Sequence, residues 1–217
     1  MEHPSDWDNV IGAREWQVGC DIAGWNRCDR GGIGGRILSE VKPELQKFIW
    51  SVATGAQFCQ LKYGILSSLT IAQAILESGW GKSELAQKAN NLFGIKGEYR
   101  GQSMDVDSRE YDKNGNEWIE RSAFRKYPSW QDSIIDHAEF LMKPRYDAVR
   151  AARTPEEACE AIQAAGYATD PGYGAYLLRL IGQYRLDQYD VLTVCPYAVY
   201  LAERELGVAR NADESIS

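Results

Sequence analysis

Hydrophobic residues recur at helical spacing in two segments that follow residue 42. The first segment begins near Pro43, and its apolar stripe consists of Leu45, Phe48, Ile49 and Val52. The second opens with residues 67–70, and its stripe consists of Leu69, Ala72, Ile75 and Leu76. A period of three or four residues places side chains on one face of a helix, so both segments are predicted to be amphipathic helices. Gly79 is predicted to end the second helix, because glycine readily adopts the left-handed conformation that closes one.

Four further helices are predicted in the second half of the chain, three of them from a start signal. Ser129 and Thr154 each precede an acidic residue by three positions, and Pro155 stands at a first helical position. The apolar face predicted after Ser129 consists of Ile134, Ile135, Ala138, Leu141 and Met142. Residues 170–171 (DP) are predicted to open the third helix, whose apolar residues are Leu177, Leu180, Ile181 and Tyr184. A last helix is predicted at about 197–206, ahead of a polar tail.

Between these helical segments, residues 102–127 have the pattern of a β-hairpin. Residues 114–115 (NG) form the dipeptide best suited to a two-residue type I′ turn. The pairs that such a turn predicts are Tyr111 with Trp118, Arg109 with Glu120, and Glu110 with Ile119. An aromatic pair and an opposite-charge pair in one register support each other. The whole pattern predicts a mainly α (α+β) fold with one hairpin inserted after the second helix.

Composition and charge exclude several classes of function. The chain has 217 residues, of which 44% are hydrophobic, enough for one well-buried core. A net charge of -7 argues against nucleic acid as a partner, because phosphate binding needs a basic surface. No apolar run approaches the roughly 20 residues that span a bilayer. The first residues have neither a basic nor an apolar region of the kind found in signal peptides, so no export signal is predicted.

The cysteine and glycine patterns indicate neither a metal site nor a nucleotide site. Five Cys form no CxxC pair, and only two His could complete a zinc site. Cys59 and Cys159 are predicted to be small core residues, whereas Cys20 and Cys28 could pair in an oxidising medium. The glycine-containing segments 31–35 and 81–83 lack the spacing of phosphate-binding loops. No metal or organic cofactor is therefore expected.

Glu77 carries the strongest chemical signal in the sequence. It follows the apolar run 71–76 and precedes Ser78, Gly79 and Trp80. Desolvation by the apolar run and Trp80, together with the negative end of the helix dipole, is predicted to raise the pKa of Glu77. A carboxyl that stays protonated near neutral pH can donate a proton to a leaving glycosidic oxygen. An ordinary surface glutamate at a helix end is the alternative that the pattern alone leaves open.

A second carboxylate and a tyrosine complete the candidate site. Glu110 in the hairpin is the candidate second carboxylate, and its rivals by pattern are Asp105, Asp107, Glu117 and Glu120. Tyr167 lies on the loop between two predicted helices, where a phenol can line a cleft and where its removal should change stability little. The same loop also fits a simple helix stop followed by a helix start.

Six short motifs follow one another along the chain. They are residues 71–86 (IAQAILESGWGKSELA), 89–97 (ANNLFGIKG), 110–111 (EY), 124–127 (FRKY), 144–146 (PRY) and 165–171 (AGYATDP). The chain thereby resembles the peptidoglycan glucosaminidases of glycoside hydrolase family 73 over about residues 43–192. The resemblance implies a lysozyme-like fold with a helical lobe, a small β-lobe and a glycan groove between them. It divides the chain into an irregular arm (1–42), the catalytic domain (43–192) and a C-terminal helix with a polar tail (193–217).

The resemblance also implies a reaction, the cleavage of peptidoglycan after N-acetylglucosamine. It assigns the general acid to Glu77, the β-lobe carboxylate to Glu110 and the cleft tyrosine to Tyr167. The substrate-binding residues that it implies are Trp80, Asn90, Asn91, Phe93, Gly94, Tyr111 and Thr169. The distance between the two carboxyl groups decides between inversion and retention, and assistance by the substrate's own acetamido group is a third route.

Other functions fit parts of the same pattern. A muramidase or a lytic transglycosylase of the lysozyme-like fold would also use one glutamate after an apolar helix, although a transglycosylase would not need Glu110. A non-catalytic wall-binding module would tolerate the loss of Glu77. A Ser/His/Asp hydrolase would need His137 as its base, but the chain has no GxSxG motif, and His137 is predicted to be structural.

The expected partner is the glycan strand of peptidoglycan, with neither nucleic acid nor stable membrane insertion. This substrate lies outside the membrane, yet the chain shows no export signal. The preferred expectation is a phage or prophage lysin that is released through a holin or carried on a virion. A trimmed form of a secreted enzyme is the rival expectation.

Overall fold

The structure is a computed structural model that describes residues 41–111 and 117–191, with the backbone alone for 108–111, 117, 118 and 120. Its elements are α1 (Pro43–Tyr63), α2 (Ser67–Ser78), α3 (Glu84–Lys88), β1 (Ser103–Tyr111), β2 (Glu117–Arg125), α4 (Trp130–Phe140), α5 (Asp147–Ala151), α6 (Pro155–Ala164) and α7 (Tyr173–Tyr184), with 3-10 helices at Pro144–Tyr146 and Leu186–Asp190. The predicted mainly helical fold with one inserted hairpin is confirmed. Cys20 and Cys28, which could pair in an oxidising medium, and the predicted helix at 197–206 lie outside the described residues.

Helix α1 begins and ends at the residues that its sequence favours. Pro43 takes the first helical position, where its missing N–H costs no hydrogen bond. Gly64 closes the helix in the left-handed conformation, with φ at 77°, and its N–H donates to the carbonyl of Gln60. The predicted apolar stripe is buried at Phe48, Ile49 and Val52. Both ends and the buried face of α1 therefore follow from the sequence.

Helix α2 is the central helix of the domain, and it packs against α1, α6, α7 and the 3-10 helix Leu186–Asp190. All residues from Ser67 to Ile75 are buried, so the helix is enclosed on every side rather than along one stripe. Gly79 ends it in the left-handed conformation at φ 55° and ψ 50°, as predicted. The prediction for Leu76 was wrong, because this side chain is 40% exposed. It lies in the last turn, beyond the enclosed part of the helix.

Strands β1 and β2 form the predicted hairpin, but its register differs by one residue from the prediction. The observed pairs are Glu110 with Trp118, Tyr111 with Glu117, Arg109 with Ile119, and Ser108 with Glu120. A two-residue turn leaves an even number of residues between paired positions. Here the last pair encloses the five residues 112–116, which lie outside the described residues. The predicted cross-strand pairs were therefore wrong.

The base of the hairpin determines this register. The N–H of Gly97 donates to the carbonyl of Ala123 at 2.8 Å, and the N–H of Arg125 donates to that of Ile95 at 2.9 Å. The side chain of Phe124 is buried between these two contacts. A favourable cross-strand pair contributes only about 0.2–1 kcal/mol, which is less than burying such a ring. The side-chain pairs near the loop therefore follow the register that the base imposes.

A charged cluster joins the hairpin to α4. The guanidinium of Arg125, at the end of β2, donates to both carboxylate oxygens of Asp136 at 2.7 Å. The hydroxyl of Tyr127 donates to Oδ2 of the same carboxylate at 2.6 Å. The side chain of Asp136 is nearly buried, so its charge depends on these two partners. The cluster thus fixes the β-lobe to the helical lobe at one point.

The later helices confirm two of the three predicted start signals. The hydroxyl of Ser129 accepts a hydrogen bond from the N–H of Asp132, and that of Thr154 accepts one from the N–H of Glu157. Helix α7 begins at Tyr173, two residues later than predicted. The short helices α3 and α5 were not predicted, because five residues are too few for a periodic apolar pattern.

The described core contains the two cysteines that were predicted to be core residues. Cys59 and Cys159 are both buried and unbonded to another cysteine. Burial raises the pKa of each thiol, which keeps both in the neutral form. Among the described residues, no helix has the length and apolar character that a membrane span requires.

Candidate active site

Glu77 lies in the last turn of α2, where the buried helix reaches the surface. Its Oε1 accepts a hydrogen bond of 2.7 Å from the hydroxyl of Tyr173 in α7. Desolvation by the surrounding protein raises the pKa of Glu77, and the hydrogen bond from Tyr173 opposes part of that increase. The side chain as a whole keeps an exposed surface. Glu77 thus combines a raised pKa with a side chain that keeps an exposed surface.

The turn after Glu77 is held by hydrogen bonds and ring contacts. The hydroxyl of Ser78 donates to the carbonyl of Ala74 at 2.5 Å and accepts from the N–H of Gly81 at 2.7 Å. Trp80 adopts a positive φ of 63°, which is uncommon for a bulky residue. Its half-buried ring packs edge-on against Phe48 and Tyr184, with centroids at 5.8 and 4.8 Å. These contacts fix the backbone beside the carboxyl.

Gly81 must be glycine for a steric reason. A Cβ at this position would lie 2.7 Å from the ring of Trp130 and 2.9 Å from the ring of Phe48. Its φ of 71° lies in the left-handed region that side chains rarely adopt. The motif glycine therefore serves the packing of α1, α4 and the turn.

Tyr173 and Gln73 were missed in the sequence, although both carried a signal. Tyr173 lies four residues before Leu177, so the apolar face predicted for α7 extends back to it. Gln73 is the single polar side chain within the apolar run 71–76, and it lies one turn before Glu77. Its Nε2 donates to the hydroxyl of Tyr173 at 3.1 Å. The two residues form a buried support behind Glu77.

Tyr167 lies beside Glu77, as the prediction of a cleft tyrosine requires, but it is not a freely exposed loop residue. Its ring stacks on Tyr173 with centroids 5.6 Å apart, and it meets His137 edge-on at 5.8 Å. Phe140 and Tyr146 lie at 6.4 and 6.3 Å. Desolvation and the nearby Glu77 carboxyl raise the pKa of the phenol well above its ordinary value. These ring contacts instead predict that its removal lowers stability, contrary to the expectation for a free loop residue.

His137 is the structural residue that the sequence predicted. Its ring is fully buried and stacks on Phe93 with centroids 3.9 Å apart. Within the part of the chain that the structure describes, neither ring nitrogen has a hydrogen-bond partner. Burial lowers the pKa of His137 to about 3, so the imidazole is neutral at physiological pH. It packs behind Tyr167 and has no access to a substrate as a base.

Asn91 and Phe93 are corrections to the predicted substrate-binding set. Asn91 is 1% exposed, and its amide donates to the carbonyls of Ile95 and Arg125 while accepting from two loop N–H groups. Phe93 is 4% exposed beneath His137. Neither side chain offers surface to a sugar, because both are used to hold the 89–97 loop. Asn91 and Phe93 therefore belong to the motif because they hold the loop in its conformation.

Asn90 and Gly94 lie at the surface of the same loop. The amide of Asn90 donates to the carbonyls of Tyr127 and Pro128 at 3.0 and 3.1 Å, which ties the loop to the segment after β2. Gly94 is exposed and has a positive φ of 62°. Both stay predicted substrate contacts, with Asn90 also supporting the loop.

The structure places the backbone of Glu110 and Tyr111 at the end of β1, and their side chains lie outside the described residues. Two of the rival carboxylates have another partner. Asp105 and Asp107 lie 3.6 and 3.9 Å from the guanidinium of Arg121 on the exposed hairpin. Thr169 is exposed on the loop that carries Tyr167. Among the described residues, no three His, Cys, Asp or Glu side chains lie together as a metal site would require.

The sequence matches a known family over the part of the chain that contains this site. The glucosaminidase family, described as mannosyl-glycoprotein endo-beta-N-acetylglucosaminidase, matches residues 53–186, more than half of the 217 residues. The chain belongs to this family. The resemblance to family 73 glucosaminidases is thereby confirmed, and the matched region is a glycoside hydrolase domain.

Two curated relatives in the glucosaminidase family show how far the similarity extends. The exo-glucosaminidase LytG of Bacillus subtilis (strain 168) is 45% identical over 153 residues, which are 68% of this chain and 54% of that protein. A probable N-acetylmuramidase of Lactococcus lactis subsp. lactis is 40% identical over 170 residues, which are 71% of this chain and 38% of that protein. The chain therefore spans about half, or less, of the length of these relatives.

Solved structures of the glucosaminidase family share the fold. The catalytic domain of the autolysin Auto from Listeria monocytogenes superposes with a TM-score of 0.63 at 33% identity, and the match covers 83% of this chain and 99% of that one. A C-terminally truncated glycoside hydrolase domain of FlgJ from Salmonella typhimurium has a TM-score of 0.55 at 34% identity, covering 65% of this chain and 97% of that one. The predicted lysozyme-like fold is confirmed.

Proposed function

We propose that this chain hydrolyses the β-1,4 bond after N-acetylglucosamine in peptidoglycan, with Glu77 as the general acid. One observation carries the proposal: the accessible carboxyl of Glu77 ends a buried helix, with a raised pKa and a hydrogen bond of 2.7 Å from Tyr173. A carboxyl whose pKa is raised by desolvation keeps its proton to higher pH than an ordinary glutamate and can release it at a glycosidic oxygen. The names of the relatives, an exo-glucosaminidase and a probable N-acetylmuramidase, support a wall glycan as substrate.

In the proposed reaction, the helical lobe and the hairpin each contribute one carboxyl group. Glu77, in the helical lobe, gives its proton to the departing sugar oxygen as the glycosidic bond breaks. Glu110, at the end of β1, activates the attacking water or stabilises the positive charge that develops on the sugar ring. Tyr167, stacked on Tyr173 beside Glu77, positions the sugar next to the scissile bond. Trp80, Asn90, Gly94, Tyr111 and Thr169 complete the proposed glycan contacts.

The muramidase is the second candidate, because the Lactococcus relative carries that name at 40% identity. We favour the glucosaminidase, since the Bacillus relative is 45% identical and the six motifs resemble the glucosaminidase signature. Both reactions place one acid beside one glycosidic oxygen, so Glu77 serves either. The glycosidic bond that is cut must therefore be identified from the products.

Mass spectrometry of borohydride-reduced muropeptides identifies the bond that is cut. Purified cell walls are digested with the enzyme, and the new reducing ends are reduced before analysis. Reduced glucosamine ends support the proposal, whereas reduced muramic acid ends mean a muramidase and anhydromuramic ends mean a lytic transglycosylase. The Glu77→Gln protein is the blank, and a non-catalytic wall-binding module gives no new ends in either sample. The size of the released fragments separates attack within strands from attack at their ends.

The proposed site of action is the cell wall, and delivery as a phage or prophage lysin stays a prediction. Fractionation of the native host, with detection of the chain in virions or in the wall fraction, tests this route. Recovery from the wall of a host that carries no prophage would contradict it.

A further inference from the structure

A chain of two hydrogen bonds runs from the interior of α2 to the carboxyl of Glu77. Nε2 of Gln73 donates to the hydroxyl of Tyr173 at 3.1 Å, and this hydroxyl donates to Oε1 of Glu77 at 2.7 Å. Gln73 and Glu77 are one turn apart in α2, and Tyr173 comes from the first turn of α7. Gln73 is fully buried and Tyr173 is 4% exposed. The two supporting side chains are therefore shielded from water, while Glu77 keeps an exposed surface.

The direction of these bonds follows from the groups themselves. A tyrosine hydroxyl has one proton to give, and the amide nitrogen of Gln73 can only donate. The single proton of Tyr173 is therefore directed to Oε1 of Glu77. Desolvation and the neighbouring Glu77 carboxyl raise the pKa of Tyr173, so the phenol remains protonated and keeps donating.

We propose that Tyr173 and Gln73 are positioning residues that reserve Oε1 of Glu77 as an acceptor, so that the acid proton is carried by Oε2. The proposal rests on the proposed role of Glu77 as general acid. A carboxyl without this support could rotate and carry its proton on either oxygen. With the support, only the proton on Oε2 is available to a glycosidic oxygen.

The same hydrogen bond also acts after the proton has left. Glu77 is then a carboxylate, and a hydrogen bond to a charged acceptor is stronger than one to a neutral acceptor. Tyr173 therefore stabilises the product of proton transfer more than the starting acid. Losing this bond should slow turnover by about 10- to 100-fold, the range expected for one hydrogen bond to a charged group.

The variant that isolates this effect is Tyr173→Phe. It keeps the buried ring and the stacking on Tyr167 but removes the hydroxyl. We expect kcat to fall by about 10- to 100-fold while KM changes by less than about twofold, since the bond matters mainly during proton transfer. We also expect the high-pH limb of the activity profile to move to higher pH, because the hydrogen bond lowers the pKa of Glu77. A purely structural role would reduce the amount of folded protein without moving that limb.

The protonation of Glu77 can also be measured by a method that does not depend on enzyme activity. Carboxyl carbon-13 NMR follows the titration of Glu77, and the resonance is assigned by its absence in Glu77→Gln. Among the described residues, Tyr173 from α7 and Tyr167 from the preceding loop are the titratable groups that interact with Glu77. Glu110 stays unchanged in every variant. The pKa of Glu77 should rise in Tyr173→Phe and should fall when 3-fluorotyrosine, a more acidic donor, replaces Tyr173.

Further variants distinguish the positioning of Glu77 from a general loss of stability. Tyr63→Phe is the matched control, because the hydroxyl of Tyr63 also donates to a glutamate, Oε1 of Glu139 at 3.2 Å, on an exposed surface. It should leave kcat and the Glu77 titration unchanged. Gln73→Leu should cost less than Tyr173→Phe, and the double variant should resemble Tyr173→Phe alone. This lack of additivity is expected because Gln73 acts only through Tyr173.

The outcomes distinguish this inference from the proposed function. An unchanged Glu77 titration and an unchanged kcat in a folded Tyr173→Phe protein would overturn the positioning role, even where Glu77→Gln is inactive. A fully active Glu77→Gln protein would instead overturn the proposed acid. Where Tyr173→Phe fails to fold, the fluorotyrosine protein decides, and a pKa of Glu77 that does not fall rejects the inference.

Discussion

Asp190 caps the helix that ends in Glu77, although 122 residues separate it from its partner Ser68. Its Oδ1 accepts a hydrogen bond of 2.7 Å from the N–H of Ser68 in the first turn of α2. Gln60 satisfies the neighbouring amide, since its Oε1 accepts from the N–H of Ser67 at 2.8 Å. The N-terminal residue of α2, Ser67, makes no such cap of its own. The first turn of α2 is therefore completed by a residue near the end of the described chain.

Replacing Asp190 should destabilise the domain without touching the carboxyl. We expect Asp190→Ala to lower the free energy of unfolding by about 1–2 kcal/mol, the usual cost of losing a helix cap. Asp190→Asn keeps an oxygen acceptor and should cost less. Urea denaturation measures both variants, and activity per folded molecule should stay at the wild-type level. Equal stability of Asp190→Ala and the wild type would show that water replaces the cap.

Glu77→Gln should abolish activity while leaving the fold intact. The change removes the proton that the leaving oxygen needs, and a general acid is typically worth about 10²- to 10⁴-fold. Glu84→Gln is the matched control, because Glu84 is an exposed glutamate that pairs with Lys88 at 3.0 Å in the next helix. Wall-clearing assays with circular dichroism give the comparison. Glu110→Gln should cause a serious but smaller loss, and an active protein would remove Glu110 from the proposed mechanism.

The raised pKa of Glu77 also predicts a pH-dependent stability that needs no substrate. The folded state binds this proton more tightly than the unfolded state, whose pKa is near 4.5. The stabilising contribution is therefore complete below pH 4.5 and is lost as the pH rises through the raised folded value. Glu77→Gln cannot lose a proton there, so its melting temperature should gain on that of the wild type as the pH rises from about 4.5 through the raised folded pKa, and the difference should then stay level. A constant difference across this range would contradict the raised pKa.

Tyr167 should affect both turnover and stability, because its ring packs against Tyr173 and His137. Tyr167→Phe keeps these contacts and should lower turnover modestly. Tyr167→Ala should lower turnover further and also reduce the free energy of unfolding by about 2–3 kcal/mol, as the loss of a partly buried ring does. Steady-state kinetics and urea denaturation separate the two effects. Wild-type turnover in both variants would remove Tyr167 from the cleft.

The lowered pKa of His137 predicts how the free energy of unfolding falls at acidic pH. Its pKa is lowered to about 3 in the folded state, whereas an unfolded histidine titrates near 6.5. The stability that neutral His137 provides is therefore present above pH 6.5 and is lost as the pH falls towards 3. Each pH unit in this window costs about 1.4 kcal/mol, so about 2 kcal/mol is lost by pH 5. His137→Phe keeps the aromatic packing and should flatten this loss in denaturation measured at pH 7.5 and pH 5.

The sequence predicted those parts of the fold that depend on local signals. The closure of α2 at Gly79 and the caps at Ser129 and Thr154 each need only a few neighbouring residues, and all three are confirmed. The hairpin register was wrong because it depends on Phe124 and on backbone contacts to Ile95 and Gly97, which are distant in sequence from the turn. Local pairing preferences are too weak to reveal such a constraint.

The residues of the candidate site also fall into those that the sequence could predict and those that it could not. Glu77 and Tyr167 could be chosen from the helix end and the motifs, and the structure places them side by side. Tyr173 is 96 residues from the carboxyl that it supports, so its role appears only when α2 and α7 pack together. Asn91 and Phe93 show the opposite error. A motif residue that holds a loop has the same signature in a sequence as one that touches a sugar.

The enclosure of α2 ties the lifetime of the site to that of the whole domain. A segment with much exposed backbone opens by itself, whereas a helix buried from Ser67 to Ile75 opens only when its neighbours separate. Residues 67–75 therefore do not unfold separately from the rest of the domain, and a protease reaches this part of the helix only in globally unfolded molecules. We expect changes in glycan preference to arise at the exposed residues of the hairpin and of the 165–172 loop, where substitution leaves this core intact.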